Sequence, residues 1–263
     1  MELHKIVKKL EKKMWKIITV QDIRDLVDPG AKDIVREDAR VAQTVYALKG
    51  QGVIQPLRNG LYYVTDGELD GIEEIIDVHY WDIVRTIISA EVGKDYIIGG
   101  EKALELLMMD FSIPYQLIIY TRDISKKVAI SPRHEILFRT MITGEKTSRV
   151  NAFGILKKQS TSVDMKIDWK REILSCLGYE AALLDTLTIH DHEEGIAESL
   201  ALKFLKRYES KLERGNFGIL VSIRYIRAIN RLRQITKEHG YTRLYENCLD
   251  VIKKEWGWCF LTL

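Results

Sequence analysis

Three groups of residues in this chain have types and spacings that chemistry uses. In SVDMKID, residues 162–168, Asp164 and Lys166 stand in the acid-x-lysine spacing of metal-dependent nucleases. There carboxylates hold Mg²⁺ and a lysine steadies the charge developing at phosphorus. Glu135 or Asp123 would supply the earlier acid. In HDHEE, residues 190–194, His190 and His192 form an HxH pair beside acids. A metal there would need a third ligand from elsewhere, and acids just before a helix are expected to stabilise its N-terminus. Gly99-Gly100 closes an apolar run and opens EKALELL, a place where backbone amides can meet phosphate. Neither the Gly-Lys-Ser/Thr of a P-loop nor GxGxxG is present, and Glu101 would repel a phosphate. Close strand–helix packing is the expected use of these glycines. No GxSxG element appears. The expectation is therefore no catalytic residue, no metal, no cofactor and no enzyme activity, with a Mg²⁺-dependent DNA nuclease as the alternative.

A fourth group suits recognition. VAQTVYALKGQGVIQPLRNGLYYV, residues 41–64, has a helical rhythm to Gln51 and alternates after Gly52. The third helix of the chain is expected from Ile34 or Arg36 to Gln51, with Ala42, Val45, Tyr46 and Leu48 as its apolar positions. That face inward leaves Arg36, Arg40, Gln43, Thr44 and Ala47 outward. Arg and Gln can bond the edges of guanine and adenine in pairs, and Thr44 would touch a thymine methyl or a phosphate. Lys49, Arg58 and Asn59 would hold the backbone, the last two from a hairpin tip. Asn59-Gly60 is the preferred pair for a type I′ turn, in which both residues take positive φ. Pro56 fits an edge strand.

The elements that position these residues are legible around them. Leu3, Ile6, Val7, Leu10 and Met14 recur at helical spacing with lysines opposite. Thr19 is expected to cap a second helix, with Asp22 three residues on. Asp28-Pro29-Gly30 stops that helix. Three short helices and a hairpin make the winged helix-turn-helix pattern, in which one helix enters a DNA major groove and the hairpin lies beside it. TDGELDG, 65–71, is the expected boundary, giving a DNA-binding domain over 1–66 and an α/β domain over 72–263. In the latter, IEEIIDVHYWDIVRTII reads as helix and DYIIGG as a buried strand. QLIIYT (116–121), KVAIS (127–131), EILFRTM (135–141), VNAFGIL (150–156) and SVDMKID also read as strands. From about Glu180 the pattern is helical to the end. The fold class is thus α+β: a winged helix-turn-helix, then a mixed α/β domain with a helical C-terminal end.

Charge is distributed unevenly. The 263 residues carry a net charge of only +2, yet an acidic stretch over 66–110 lies between two basic ends, as suits a protein whose ends meet an anion. Arg224, Arg227 and Arg231, spaced i, i+3, i+7, would share one helix face. They would serve either as a second phosphate-contacting surface or as a solvated face paired with acids. Cys176, Cys248 and Cys259 are three in number and far apart, so neither a disulfide framework nor a zinc site is expected. Without a membrane span or an apolar leader, the expected location is the cytoplasm, as a monomer or weak dimer with no membrane partner.

GLYYV, YIIGGEKALELL and YEAALLDTL, in that order, resemble the AbiEi family of type IV antitoxins and related transcriptional regulators. The likeness runs loosely from Ile17 to Lys254. Ala181 or Ala182 stands where the family has an arginine. The resemblance implies a winged helix followed by an α/β domain. It also implies binding of double-stranded DNA at promoter repeats to repress the protein's own operon, and protection against a nucleotidyltransferase-like toxin without a stable complex. A protein-docking module is a further alternative.

Overall fold

The computed structural model describes residues 3–12, 17–27, 34–65, 69, 71–143, 150–167, 170–188, 194–223 and 225–256. The chain divides into two compact units, Met1–Lys94 with Ala129–His134, and Asp95–Val128 with Glu135–Leu263. TDGELDG, where the sequence places the boundary between 1–66 and 72–263, lies largely outside the described residues. The helix that follows it goes with the first unit.

The first unit runs α1 (Leu3–Glu11), β1 (Ile17–Thr19), α2 (Val20–Val27), α3 (Ile34–Gly50), β2 (Ile54–Arg58), β3 (Leu61–Val64) and α4 (Ile72–Val92). Lys5, Lys8 and Lys9 of α1, and Lys12 just beyond it, are exposed, while Ile6 and Leu10 enter the core. At the start of α2 the Thr19 backbone N–H donates to Asp22 Oδ2 (2.8 Å) and the Asp22 N–H donates to Thr19 Oγ1 (3.1 Å). This reciprocal cap satisfies donors that a helix start leaves orphaned. Thr19 also ends β1, which the helical periodicity concealed because the strand is only IIT. β1, β3 and β2 form an antiparallel sheet in that order, and β3, the central strand, is buried along its whole length. Met14 and Asp28-Pro29-Gly30 lie outside the described residues.

The hairpin β2–β3 departs from the expected turn. Gly60 has φ +77°, but Asn59 is not among the described residues with positive φ. A type I′ turn needs both, whereas a positive φ at the second position alone is the type II requirement. The register shifts between Pro56 and Arg58, so a bulge re-aims the strand end that a I′ turn would otherwise have twisted into line.

The second unit contains β4 (Ile97–Ile98), α5 (Gly100–Leu107), β5 (Gln116–Thr121), β6 (Lys126–Ala129), β7 (Glu135–Thr140), β8 (Ile142–Thr143), β9 (Val150–Asn151), α6 (Phe153–Lys158), β10 (Ser160–Ile167) and β11 (Lys170–Leu177). It continues through α7 (Tyr179–Thr186), α8 (Glu194–Tyr208), α9 (Arg214–Ser222), α10 (Ile226–Glu238) and α11 (Thr242–Trp256). Among the described residues, six strands form a mixed sheet in the order β10-β11-β4-β5-β7-β6. β8 pairs with β9 separately. The fold is α+β with a helical C-terminal end. VNAFGIL is not one strand: the chain leaves β9 after Asn151 and turns into α6, burying Phe153 and Leu156 at helical spacing. β11, hydrogen-bonded to β10 on one side and β4 on the other, lies in a stretch that opens with charged residues and does not read as a strand from its pattern.

A buried carboxylate ties this unit together. Asp185 on α7 is 3% exposed. It accepts hydrogen bonds from the Gly100 N–H (2.6 Å), the Tyr120 hydroxyl (2.8 Å) and the Tyr225 hydroxyl (2.7 Å). One side chain thereby joins α7 to the first residue of α5, to β5 and to the residue that caps α10. The glycines are required by this closeness. A Cβ on Gly99 would lie 2.2 Å from the Tyr120 ring, and Gly100 has φ +65°. Burial raises the Asp185 carboxyl above its ordinary value, against the pull of its hydrogen bonds. Cys176 and Cys248, both buried, have thiols pushed up to about 12 by the same cause, as core cysteines should.

Two outcomes follow from this network. Asp185→Ala strands three buried donors and should destabilise the protein by about 3 kcal/mol in urea unfolding; a loss below about 1 kcal/mol would contradict the network. Because the folded carboxyl titrates above its unfolded value of about 3.9, its contribution is greatest below that value and falls as pH rises toward the raised one. The stability deficit of Asp185→Asn relative to the parent should therefore widen as pH is lowered from 7 to 4.

Candidate nucleic-acid interface

Helix α3 is fixed by one stripe. Val41 and Leu48 are buried and Val45 packs against the same core, alongside Ile6, Leu10, Ile23 and Ile54. The spacing i, i+4, i+7 is one face of a helix. The expected stripe begins at Ala42 and includes Tyr46. Ala42 is exposed and Tyr46 is 81% exposed. Val41 takes the inward place instead, because a stripe through Leu48 with an aliphatic at each turn must pass through 45 and 41.

With that stripe inward, Arg40, Gln43 and Lys49 are exposed, as expected. Thr44 is half-buried and its hydroxyl donates to the Arg40 carbonyl at 2.8 Å, so that donor is already spent on the helix. Arg36 belongs to α3, but its side chain lies outside what is described. Asn59 is exposed at the hairpin tip and Arg58, last residue of β2, is half-buried. α3 and the hairpin are joined through residues 51–53, where Gly52 has φ +68° and the Val53 N–H donates to the Leu48 carbonyl at 2.9 Å. Among the described residues, Asp38 is an exposed acid on the same helix. Asp38 of α3 bonds Arg24 of α2 at 2.5 Å, an exposed pair that ties the two helices.

Of the three C-terminal arginines expected to share one helix face, Arg227 and Arg231 stand one turn apart on α10. α9 ends at Ser222 and α10 begins at Ile226. The interruption holds Tyr225 inward on Asp185. Arg224 lies outside the described residues, Arg227 is exposed on α10 and Arg231, one turn on, is half-buried.

Neither acid considered as Asp164's partner is its neighbour: Asp123 follows the end of β5, two strands removed from β10 by β11 and β4. Asp164 lies exposed on β10 and Glu135 on β7, with β11, β4 and β5 between them in the sheet. At about 4.8 Å per strand they are roughly 19 Å apart, too far to share a metal ion. Most of HDHEE and the Lys166 side chain lie outside the described residues. Among the described residues, Glu198, Glu238 and His239 offer ligand atoms within 4.8 Å of one another on the surface, with Lys203 and Lys206 lining the same hollow. The Gly99-Gly100 turn borders a cavity of about 720 Å³ lined also by Lys102, Glu105, Tyr115, Gln116, Arg139 and Asp185. Its amides are not offered to phosphate: the Gly99 N–H donates to the Ile118 carbonyl and the Gly100 N–H to Asp185. Lys102 donates to Glu105 and Ser112. The glycines serve strand–helix packing.

No family model matches the chain, and no curated protein matches it. Among solved structures it is similar to the crystal structure of the RV2827C protein from Mycobacterium tuberculosis, with a TM-score of 0.56 over 95% of this chain and 80% of that one, at 12% identity. Likeness at that identity is a likeness of fold. No described helix is long and apolar enough to cross a membrane.

Asp38→Asn tests the electrostatics of the α3 surface. Its ion pair is exposed, so the stability lost should be under about 1 kcal/mol, while removal of the anion should delay elution from heparin. Earlier elution would show that Asp38 serves the surface by ordering Arg24.

Proposed function

We infer that the first unit is a winged helix-turn-helix DNA reader and that the chain is a sequence-specific DNA-binding regulator without catalytic activity. The order helix, strand, helix, helix, hairpin, with β1 as the third strand, supports the fold assignment. The observation that carries the function is the polar, outward row of α3, where Arg40, Gln43 and Lys49 stand exposed while Val41 and Leu48 are sealed inward. A major groove admits one such helix, and arginine and glutamine are the side chains suited to guanine and adenine edges. Arg58 and Asn59 on the hairpin would lie along the neighbouring backbone or minor groove.

The resemblance to the AbiEi family gives this reader its place: an autorepressing antitoxin in a type IV system, acting in the cytoplasm on promoter repeats and countering a nucleotidyltransferase-like toxin without a stable complex with it. The distance between Asp164 and Glu135 weighs against the nuclease alternative.

The test is binding to duplex DNA from upstream of the protein's own gene, across a salt series. Affinity should fall steeply with salt. Arg40→Ala and Gln43→Ala should each cost about 1–3 kcal/mol on that duplex and much less on unrelated DNA. Unchanged selectivity in the double variant would end the assignment, as would the absence of any salt-sensitive binding.

A further inference from the structure

Tyr46 is the residue of α3 that the fold treats least economically. It is 81% exposed in the middle of the helix, where lysine, glutamate or alanine would favour the helix more. It lies three residues after Gln43 and three before Lys49, so it shares a line of the helix surface with both. Ala42 and Ala39, one and two turns before Tyr46 on the same side of the helix, are exposed too, and their small side chains let a partner's walls approach the helix. The surroundings specify the partner's charge. Arg40 and Lys49 on α3 and Lys5, Lys8 and Lys9 on α1 are exposed cations of the same unit. An apolar ring on a helix that also exposes Arg40, Gln43 and Lys49, against Asp38 with its Arg24 partner, fits a polyanion that carries apolar groups at the floor of a groove. Duplex DNA has one such group there, the C5-methyl of thymine.

We propose that Tyr46 determines specificity by packing its ring on a thymine C5-methyl, beside the base pair that Gln43 reads. This rests on the DNA-reading assignment of the first unit. The Cβ atoms of residues three apart on a helix surface are about 5–6 Å from each other, and base pairs step by about 3.4 Å. The thymine therefore sits one or two base pairs from the pair read by Gln43. The ring does the reading and the hydroxyl is dispensable, so Tyr46→Phe keeps the preference and Tyr46→Ala loses it.

The experiment first selects the preferred duplex from a random library with the full-length protein, then replaces each thymine in it by uracil, which deletes the methyl and nothing else. At one thymine the parent should lose about four-fold in affinity, the worth of one buried methyl-sized group. Tyr46→Phe should lose the same factor. Tyr46→Ala, checked for native circular dichroism, should bind the thymine and uracil duplexes equally. If no uracil position separates the parent from Tyr46→Ala, or if Tyr46→Ala weakens every duplex uniformly, the proposal is overturned while selective binding by the parent leaves the DNA-reading assignment standing. If the parent selects no duplex at all, both fall together.

Discussion

Val41, Val45 and Leu48 are held against the core of the first unit, and a helix has no freedom to choose its other faces once one is sealed. Those three aliphatic side chains decide that Arg40, Gln43, Tyr46 and Lys49 meet solvent. They also decide that Thr44 sits at the flank, where its hydroxyl turns back onto the helix. The cap of Thr19 and Asp22 at the start of α2 and the positive φ of Gly52 at the end of α3 fix where these helices begin and stop. The chemical character of the surface is thus a consequence of aliphatic packing, and a change inside the stripe would rotate the exposed residues as a set.

The second unit depends on a different constraint. A carboxylate withdrawn from water is costly unless its oxygens are bonded, and Asp185 satisfies that condition with donors from three separate segments. Its demands explain features that look unrelated along the chain. They account for two adjacent glycines at the start of α5, a tyrosine on β5 whose ring touches the glycine backbone, and a break between α9 and α10 that lets Tyr225 turn inward. The same closeness withdraws the Gly99 and Gly100 amides from any phosphate. A structural role for this pair follows from where their hydrogen bonds go.

Much of this was legible in the residues. The amphipathic first helix, the cap at Thr19, the long third helix, the hairpin at Asn59-Gly60, the strand and helix around Gly99-Gly100 and the helical end all stand where pattern placed them. The errors have physical causes. The pattern puts Tyr46 inward because an aromatic near a helical stripe is usually core, and only the competing aliphatic at Val41 marks the true phase. β1 and β11 escaped because one is three residues long and the other begins with charged residues, so neither shows a clean alternation. VNAFGIL mixes apolar and glycine residues in a way that suits strand and helix alike, and the turn after Asn151 is a tertiary decision. Asp185 gave no sign at all, since a lone acid inside an apolar helix acquires its meaning from Gly100, Tyr120 and Tyr225, far away in sequence.

Entry of α3 into the major groove of a duplex is tested most directly by photocrosslinking. In DNA containing 5-bromouracil the bromine replaces the thymine methyl and therefore projects into that groove. Irradiation of the complex followed by mass spectrometry of the joined peptides should place the crosslinks on residues 38–50. Crosslinks confined to α10 or α11, with α3 untouched on a saturated duplex, would contradict it.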